Sequence, residues 1–269
     1  MTRIVGLLSW FDESPARLAA CVTSMARVCD HIVAVDGRYE QYPDDRVRSG
    51  TAEYHAIVDA ANAAGVGVTV ESAQRPWRDE MEKRTHLFRV GLVHATPMQD
   101  WFFVLDADEV VAESAPREFI TTQLDEARER GAACVRVCLW EKADPAETPE
   151  REKASASFPI DYRYEVAQGR FWLALHDMRV VGYHYNYVGE NDEGVTIEAW
   201  GKDGAVENRP DHDDALRFHV TIENRNRMRS QVRDKTRAAY YQARDESQVE
   251  AVRPLAEYEA EEAYDGAAL

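Results

Sequence analysis

The stretch "WFFVLDADEVV" ends an apolar run in three carboxylates, Asp106, Asp108 and Glu109. Acids crowded at the rim of a buried strand repel one another and lose hydration, so the arrangement needs a cation to offset it. A divalent metal would serve. Hard oxygen ligands suit Mg2+ or Mn2+, which complete their shells with phosphate oxygens and water, so the expected chemistry is a metal that in turn holds a diphosphate. In the plainer alternative, Asp106 caps the next segment while Asp108 and Glu109 are solvated. The triplet alone is a weak signal, because Asp211-His212-Asp213 has the same form without the apolar strand. A second group of candidates is Arg225, Arg229, Arg233 and Arg237, spaced four apart. On one helical face each like-charged pair costs about 0.2–0.5 kcal/mol. Either the acidic remainder of the chain offsets them, or one or two close over a diphosphate with their planar forks of donors.

The elements that position these residues follow from the pattern. "RIVGLLS" and "HIVAVD" are apolar runs without helical spacing and predict buried strands. Between them Ser14-Pro15 opens a helix whose Leu18, Val22, Met25 and Cys29 share a face. "TAEYHAIVDAANAAG" predicts a second helix closed by Gly65, "VGVTVES" a third strand, and residues 79–94 a helix leading into "WFFVLD". Strands alternating with helices predict an α/β fold with a mostly parallel, Rossmann-like sheet flanked by helices. Ligands of such sheets bind beyond the carboxyl ends of the strands, where Asp106 to Glu109 fall. Residues 160–188 read as short strands rich in Tyr and Trp, and within them "DYRYEVAQGRFWLALH" could stack sugars or fill a strand core. From Ile222 to Arg244 the spacing predicts a helix, followed by an acidic end.

The 269 residues carry a formal charge of −17, with 49 acidic against 32 basic side chains. That balance argues against a nucleic-acid partner, whose phosphates require clustered Lys and Arg. The four Cys, at 21, 29, 134 and 138, form no C-x-x-C pair and predict reduced core residues. No run suggests a transmembrane segment and the first residues turn acidic too soon for a signal peptide, so the expectation is a soluble, cytoplasmic chain.

Taken in order, "RIVGLLSWFDES", "HIVAVDG", "WRDEMEKRTHLFRVGL" and "DWFFVLDADEVV" resemble the N-terminal half of a family 2-like glycosyltransferase with the glycosyltransferase-A fold. The resemblance spans residues 3–112 and, more loosely, the later His-containing segments. It implies a nucleotide-sugar-binding half at 1–112, an acceptor-side half of the same domain at 113–221 and a C-terminal helical segment at 222–269. It implies a sugar moved from a nucleotide diphosphate donor, UDP-linked in the first instance, to a glycan, lipid or protein acceptor. Ser9 and Trp10 would line the nucleotide pocket and Asp36 would bind the base, although Asp36 with Gly37 also fits a plain turn. Arg84, and less directly its neighbour Lys83, would face the donor. Asp106 would contact ribose or metal, Asp108 would ligate the Mn2+ or Mg2+, and Arg225 would close over the diphosphate. A late His completes the metal shell in such enzymes; His219 fits that place and His184 is the alternative. For an inverting reaction the general base would come from Glu190, Asp192 or Asp177. Here the chain departs from the pattern: His184 is followed by Tyr185 where many relatives have Glu, which leaves base and stereochemistry open.

Two rival readings use the same residues. In a haloacid-dehalogenase-like phosphatase Asp106 would be the nucleophile and Asp108 the acid/base. That strand normally stands near the N-terminus, whereas three strand-helix units precede it here. A non-catalytic carbohydrate-binding protein could hold Ca2+ with the same carboxylates. A sugar nucleotidyltransferase would carry a Gly-rich, Arg-containing first loop, which "LLSWFDES" lacks.

Overall fold

A computed structural model describes residues 2–40, 42, 44–142, 163–181, 186–200 and 212–224. The chain divides into a unit of residues 1–40 and 44–228 and a smaller one of 41–43 and 229–269. His184, Arg225, Arg229, Arg233 and Arg237 lie outside the described residues.

Four parallel strands form one flank of the main sheet in the order β3-β2-β1-β4: β1 (Ile4–Trp10), β2 (His31–Asp36), β3 (Gly67–Glu71) and β4 (Trp101–Asp106). β1 is buried at every position except the half-buried Ser9, which explains why its sequence runs apolar instead of alternating. Helix α1 (Pro15–Met25) opens with Pro at its first position and buries Leu18, Cys21, Val22 and Met25. Helix α2 (Thr51–Ala63) packs beside it and ends before Gly65, whose φ of 71° only glycine adopts at little cost. Helix α3 (Glu80–Leu92) is fixed at its start by reciprocal bonds. Asp79 accepts from the Glu82 amide at 2.8 Å and Glu82 accepts from the Arg78 amide at 2.6 Å.

Beyond β4 the sheet continues as β7-β6-β12-β5, built from β5 (Glu109–Ser114), β6 (Cys134–Lys142), β7 (Arg163–Leu173) and β12 (Val220–Asn224). Helix α4 (Arg117–Glu129) joins β5 to β6. Strand β7 runs antiparallel to both β4 and β6, so the parallel half gives way to a mixed one. A two-residue strand, β11 (His212–Asp213), adds to β6. A separate antiparallel sheet of β8 (His176–Val180), β9 (Asn186–Glu190) and β10 (Thr196–Trp200) packs through β8 on α3. The result is a large, partly parallel sheet flanked by helices.

The helix predicted from Ile222 is corrected: residues 222–224 complete β12, between β6 and β5. "HVTIEN" carries three β-branched residues in a row, Val220, Thr221 and Ile222, and Val220 and Ile222 are fully buried in the sheet, where branched side chains pack well. The aromatic stretch of β7 contributes Phe171 and Trp172 to the core. All four cysteines are free and buried, and burial pushes the Cys21 thiol well up. Among the described residues no helix is long and apolar enough to cross a membrane.

Candidate functional site at the carboxyl ends of the strands

Strand register brings the first set of candidates together. Ser9 on β1 stands opposite Asp106 on β4, and Trp10 stands opposite Asp36 on β2. Helix α3 crosses the same end and adds two cations. Arg84 donates from Nη2 to Asp106 Oδ1 at 2.8 Å and from Nε to Glu80 at 2.9 Å. Lys83 is 1% exposed, and its Nζ donates to the main-chain carbonyls of Trp10 at 2.7 Å and Gly37 at 2.8 Å. Lys83 therefore ties the ends of β1 and β2 instead of facing a donor, a correction to its expected place. Burial, partly countered by Asp36, lowers its pKa to about 7. The neutral amine still has two N–H groups, enough for both carbonyls.

Asp36 is likewise turned inward. Its carboxylate accepts from the Gly37 amide at 2.7 Å and from the Ser49 amide and hydroxyl at 2.7 and 2.6 Å. Trp77 donates to the Asp36 carbonyl at 2.9 Å. Gly37 has a φ of 121°, and a Cβ there would sit 2.5 Å from Ala73 Cβ, so only glycine fits the turn. The geometry commits the Asp36 carboxylate to the turn. Burial nevertheless pushes its carboxyl up against those hydrogen bonds.

The three acids of the opening motif have distinct surroundings. Asp106 is partly exposed and paired with Arg84. Glu109 is buried against Arg170 of β7, at 2.6 Å with both side chains 2% exposed, and it also accepts from the Asp106 amide. Burial raises the Glu109 carboxyl and Arg170 pulls it down. Asp108 is 5% exposed and lines a cavity of about 150 Å³ with Ala16, Arg17 and Ala20 of α1, Ala107 and Val110. The cation that the crowded carboxylates require is thus met in two places by guanidinium groups. Arg170, lone in the apolar "GRFWL", was legible as a charge inside a strand, but its partner was not.

Two buried polar hydrogens at this end have no hydrogen-bond partner among the described residues: the Trp10 indole N–H and the Tyr187 hydroxyl. Leaving such a group unmatched costs about 1–3 kcal/mol. The indoles of Trp101 and Trp172 share the condition. Tyr187, on β9, is the one whose surroundings are the site's own charges, with Arg84 first, then Asp106, Arg170 and Glu80. Nothing in the sequence marked it.

The remaining candidates are not brought here. Leu173 of β7 pairs with Trp101 at the start of β4, and Ala174 exchanges main-chain bonds with Met98 and Asp100. Just beyond, His176 pairs with Glu190 and bonds Asp192 at 2.9 Å, with Asp177 exposed beside them. Glu190, Asp192 and Asp177 therefore lie toward the amino end of β4, roughly 16 Å along the strand from Asp106 at about 3.3 Å per residue. The described strands thus do not bring these three acids to the motif. His219 is misplaced for a related reason. Strand β12 pairs Asn224 with Glu109 and Val220 with Ser114, so His219 projects past the far end of β5 and packs on Phe119.

Among the described residues no group of three or more His, Cys, Asp or Glu side chains could hold a metal. The described residues by themselves therefore form no cage for an ion. An ion held by Asp106 and Asp108, two positions apart in the sequence, would have to take its other ligands from phosphate and water.

The chain matches no protein-family model and no curated protein. Among solved structures it is similar to the crystal structure of UDP-glucose pyrophosphorylase complexed with UDP-glucose. The identity is 13% and the TM-score 0.28, over 83% of this chain and 76% of that one.

Proposed function

We propose that the chain is an enzyme that moves a sugar from a nucleotide diphosphate donor, UDP-linked in the first instance, to an acceptor hydroxyl. The observation that supports this most is the Arg84–Asp106 pair at the carboxyl end of β4, beside the end of the parallel strand β1. A guanidinium there can accept the charge that develops on a leaving diphosphate, and charge stabilisation is commonly the largest contribution to such catalysis. Asp106 holds Arg84 in place and offers its carboxylate to a ribose hydroxyl. Lys83 and Asp36 keep the ends of β1 and β2 together so that Trp10 stays at the rim. When bound, Mn2+ or Mg2+ would be held by Asp106 and Asp108 and would supply further neutralisation of the diphosphate.

The test is incubation with a panel of nucleotide sugars and Mn2+, followed by assay for free nucleoside diphosphate, in wild-type protein and Asp106→Asn. Release by the wild type that falls at least tenfold in the variant is the expected result. Failure to release nucleoside diphosphate from any donor, with inorganic phosphate freed from phosphomonoesters instead, would replace this reading by the phosphatase one. Binding without any release would leave a carbohydrate-binding protein.

A further inference from the structure

Tyr187 stands on β9 opposite Val180 of β8, and the Val180 amide donates to Thr85, the residue after Arg84, at 3.0 Å. Its ring packs edge-on against Phe88, one helical turn along α3 from Arg84, with centroids 4.7 Å apart, and against Trp172 at 4.3 Å. The ring is thus held on three sides by α3, β7 and β8. The side chain is 2% exposed, yet its hydroxyl has no hydrogen-bond partner among the described residues. A phenol fixed this firmly with its polar tip unmatched points to a partner that the described residues do not supply. Burial raises its pKa, so the group stays a donor at neutral pH. The largest charge effect on it is that of Arg84, which favours an anionic acceptor.

We propose that Tyr187 is a donor-binding residue whose hydroxyl donates a hydrogen bond to a phosphoryl oxygen of the diphosphate held beside Arg84. This rests on the reading that the rim binds a nucleotide diphosphate sugar. It adds a contact from the small antiparallel sheet to a site otherwise built from β1, β4 and α3.

The experiment is calorimetric titration of UDP, with Mg2+ present, into the wild-type chain, Tyr187→Phe and Arg84→Ala, together with the unfolding midpoint of each without ligand. Phenylalanine keeps the packing and removes only the hydroxyl. The expected result is UDP binding weakened on the order of ten- to a hundredfold, as for loss of a hydrogen bond to a charged group. The ligand-free midpoint should be unchanged or higher, because an unmatched buried group has been removed. Unaltered UDP affinity in Tyr187→Phe alongside a loss in Arg84→Ala would overturn this inference alone. A midpoint several degrees lower would also overturn it, by revealing an internal partner for the hydroxyl. A wild-type chain that binds neither UDP nor a UDP-sugar would remove the underlying reading, and this inference with it.

Discussion

The two ends of strand β4 carry similar numbers of acids and treat them differently. At its carboxyl end Asp106 and Glu109 are each paired with an arginine from another element, and Lys83 is sealed below them. Toward its amino end Asp177 and Asp192 are exposed, and the His176–Asp192 contact is open to water. Charge that is desolvated and paired is held in one geometry, whereas exposed charge is screened and mobile. Carboxylate identity alone therefore says little about function; the element that supplies the counter-charge says more.

The contrast can be broken most forcefully at the Glu109–Arg170 pair. Arg170→Met leaves a buried carboxylate uncompensated and should destabilise the fold by about 3–5 kcal/mol. Adding Glu109→Gln to it should restore a large part of that loss, read as the recovery of the denaturation midpoint. If Arg170→Met alone left the midpoint unmoved, the buried pair would not be holding β7 to the motif.

Lys83 sharpens the comparison through pH. Its folded pKa is lowered from 10.5 to about 7, so the folded state binds fewer protons than the unfolded one between those values. Stability contributed by this group accordingly rises as pH increases from 7 towards 10.5 and is lost as pH falls through 7. Lys83→Met should cost about 1–3 kcal/mol at pH 9, from two carbonyls left unmatched. The gap to wild type should narrow at pH 6, as urea titrations at both values would show. A gap that widened at pH 6 would contradict the sign.

Smaller effects are expected at Trp10 and smallest at the other end of β4. Trp10→Phe removes an indole N–H without emptying its place and should weaken nucleotide affinity severalfold, about 0.5–1.5 kcal/mol for a neutral hydrogen bond. Glu190→Ala and Asp192→Ala should each alter stability by no more than about 0.5 kcal/mol and leave donor binding unchanged. A loss of binding in either would erase the distinction between the two ends.

The parallel half of the fold was legible because its signals are local. Unbroken apolar runs marked β1, β2 and β4, and Ser14-Pro15, Gly65 and Asp79 marked helix ends. The position of Asp106 at a strand end followed from the same pattern. What the sequence did not disclose was pairing at long range. "HVTIENRNR" continues into residues with helical spacing, yet Val220 to Asn224 are taken by the slot between β5 and β6. That slot reverses which end His219 occupies. Glu190 and Asp192 read as site acids because the resemblance implies a base from the second half of the chain; only the pairing of β8 with β9 and of β7 with β4 shows which end they belong to. The same holds for Arg170 and Tyr187, whose importance lies in partners, or their absence, across the sheet.

The claim on which all of this depends is that Arg84 and Asp106 form the seat of a diphosphate. Calorimetric titration of a UDP-sugar into wild-type protein and Arg84→Ala measures it directly. A dissociation constant at least tenfold weaker in the variant, measured at a temperature where both proteins remain folded, is the predicted result. Equal affinity in the two proteins would place the nucleotide elsewhere and contradict the account.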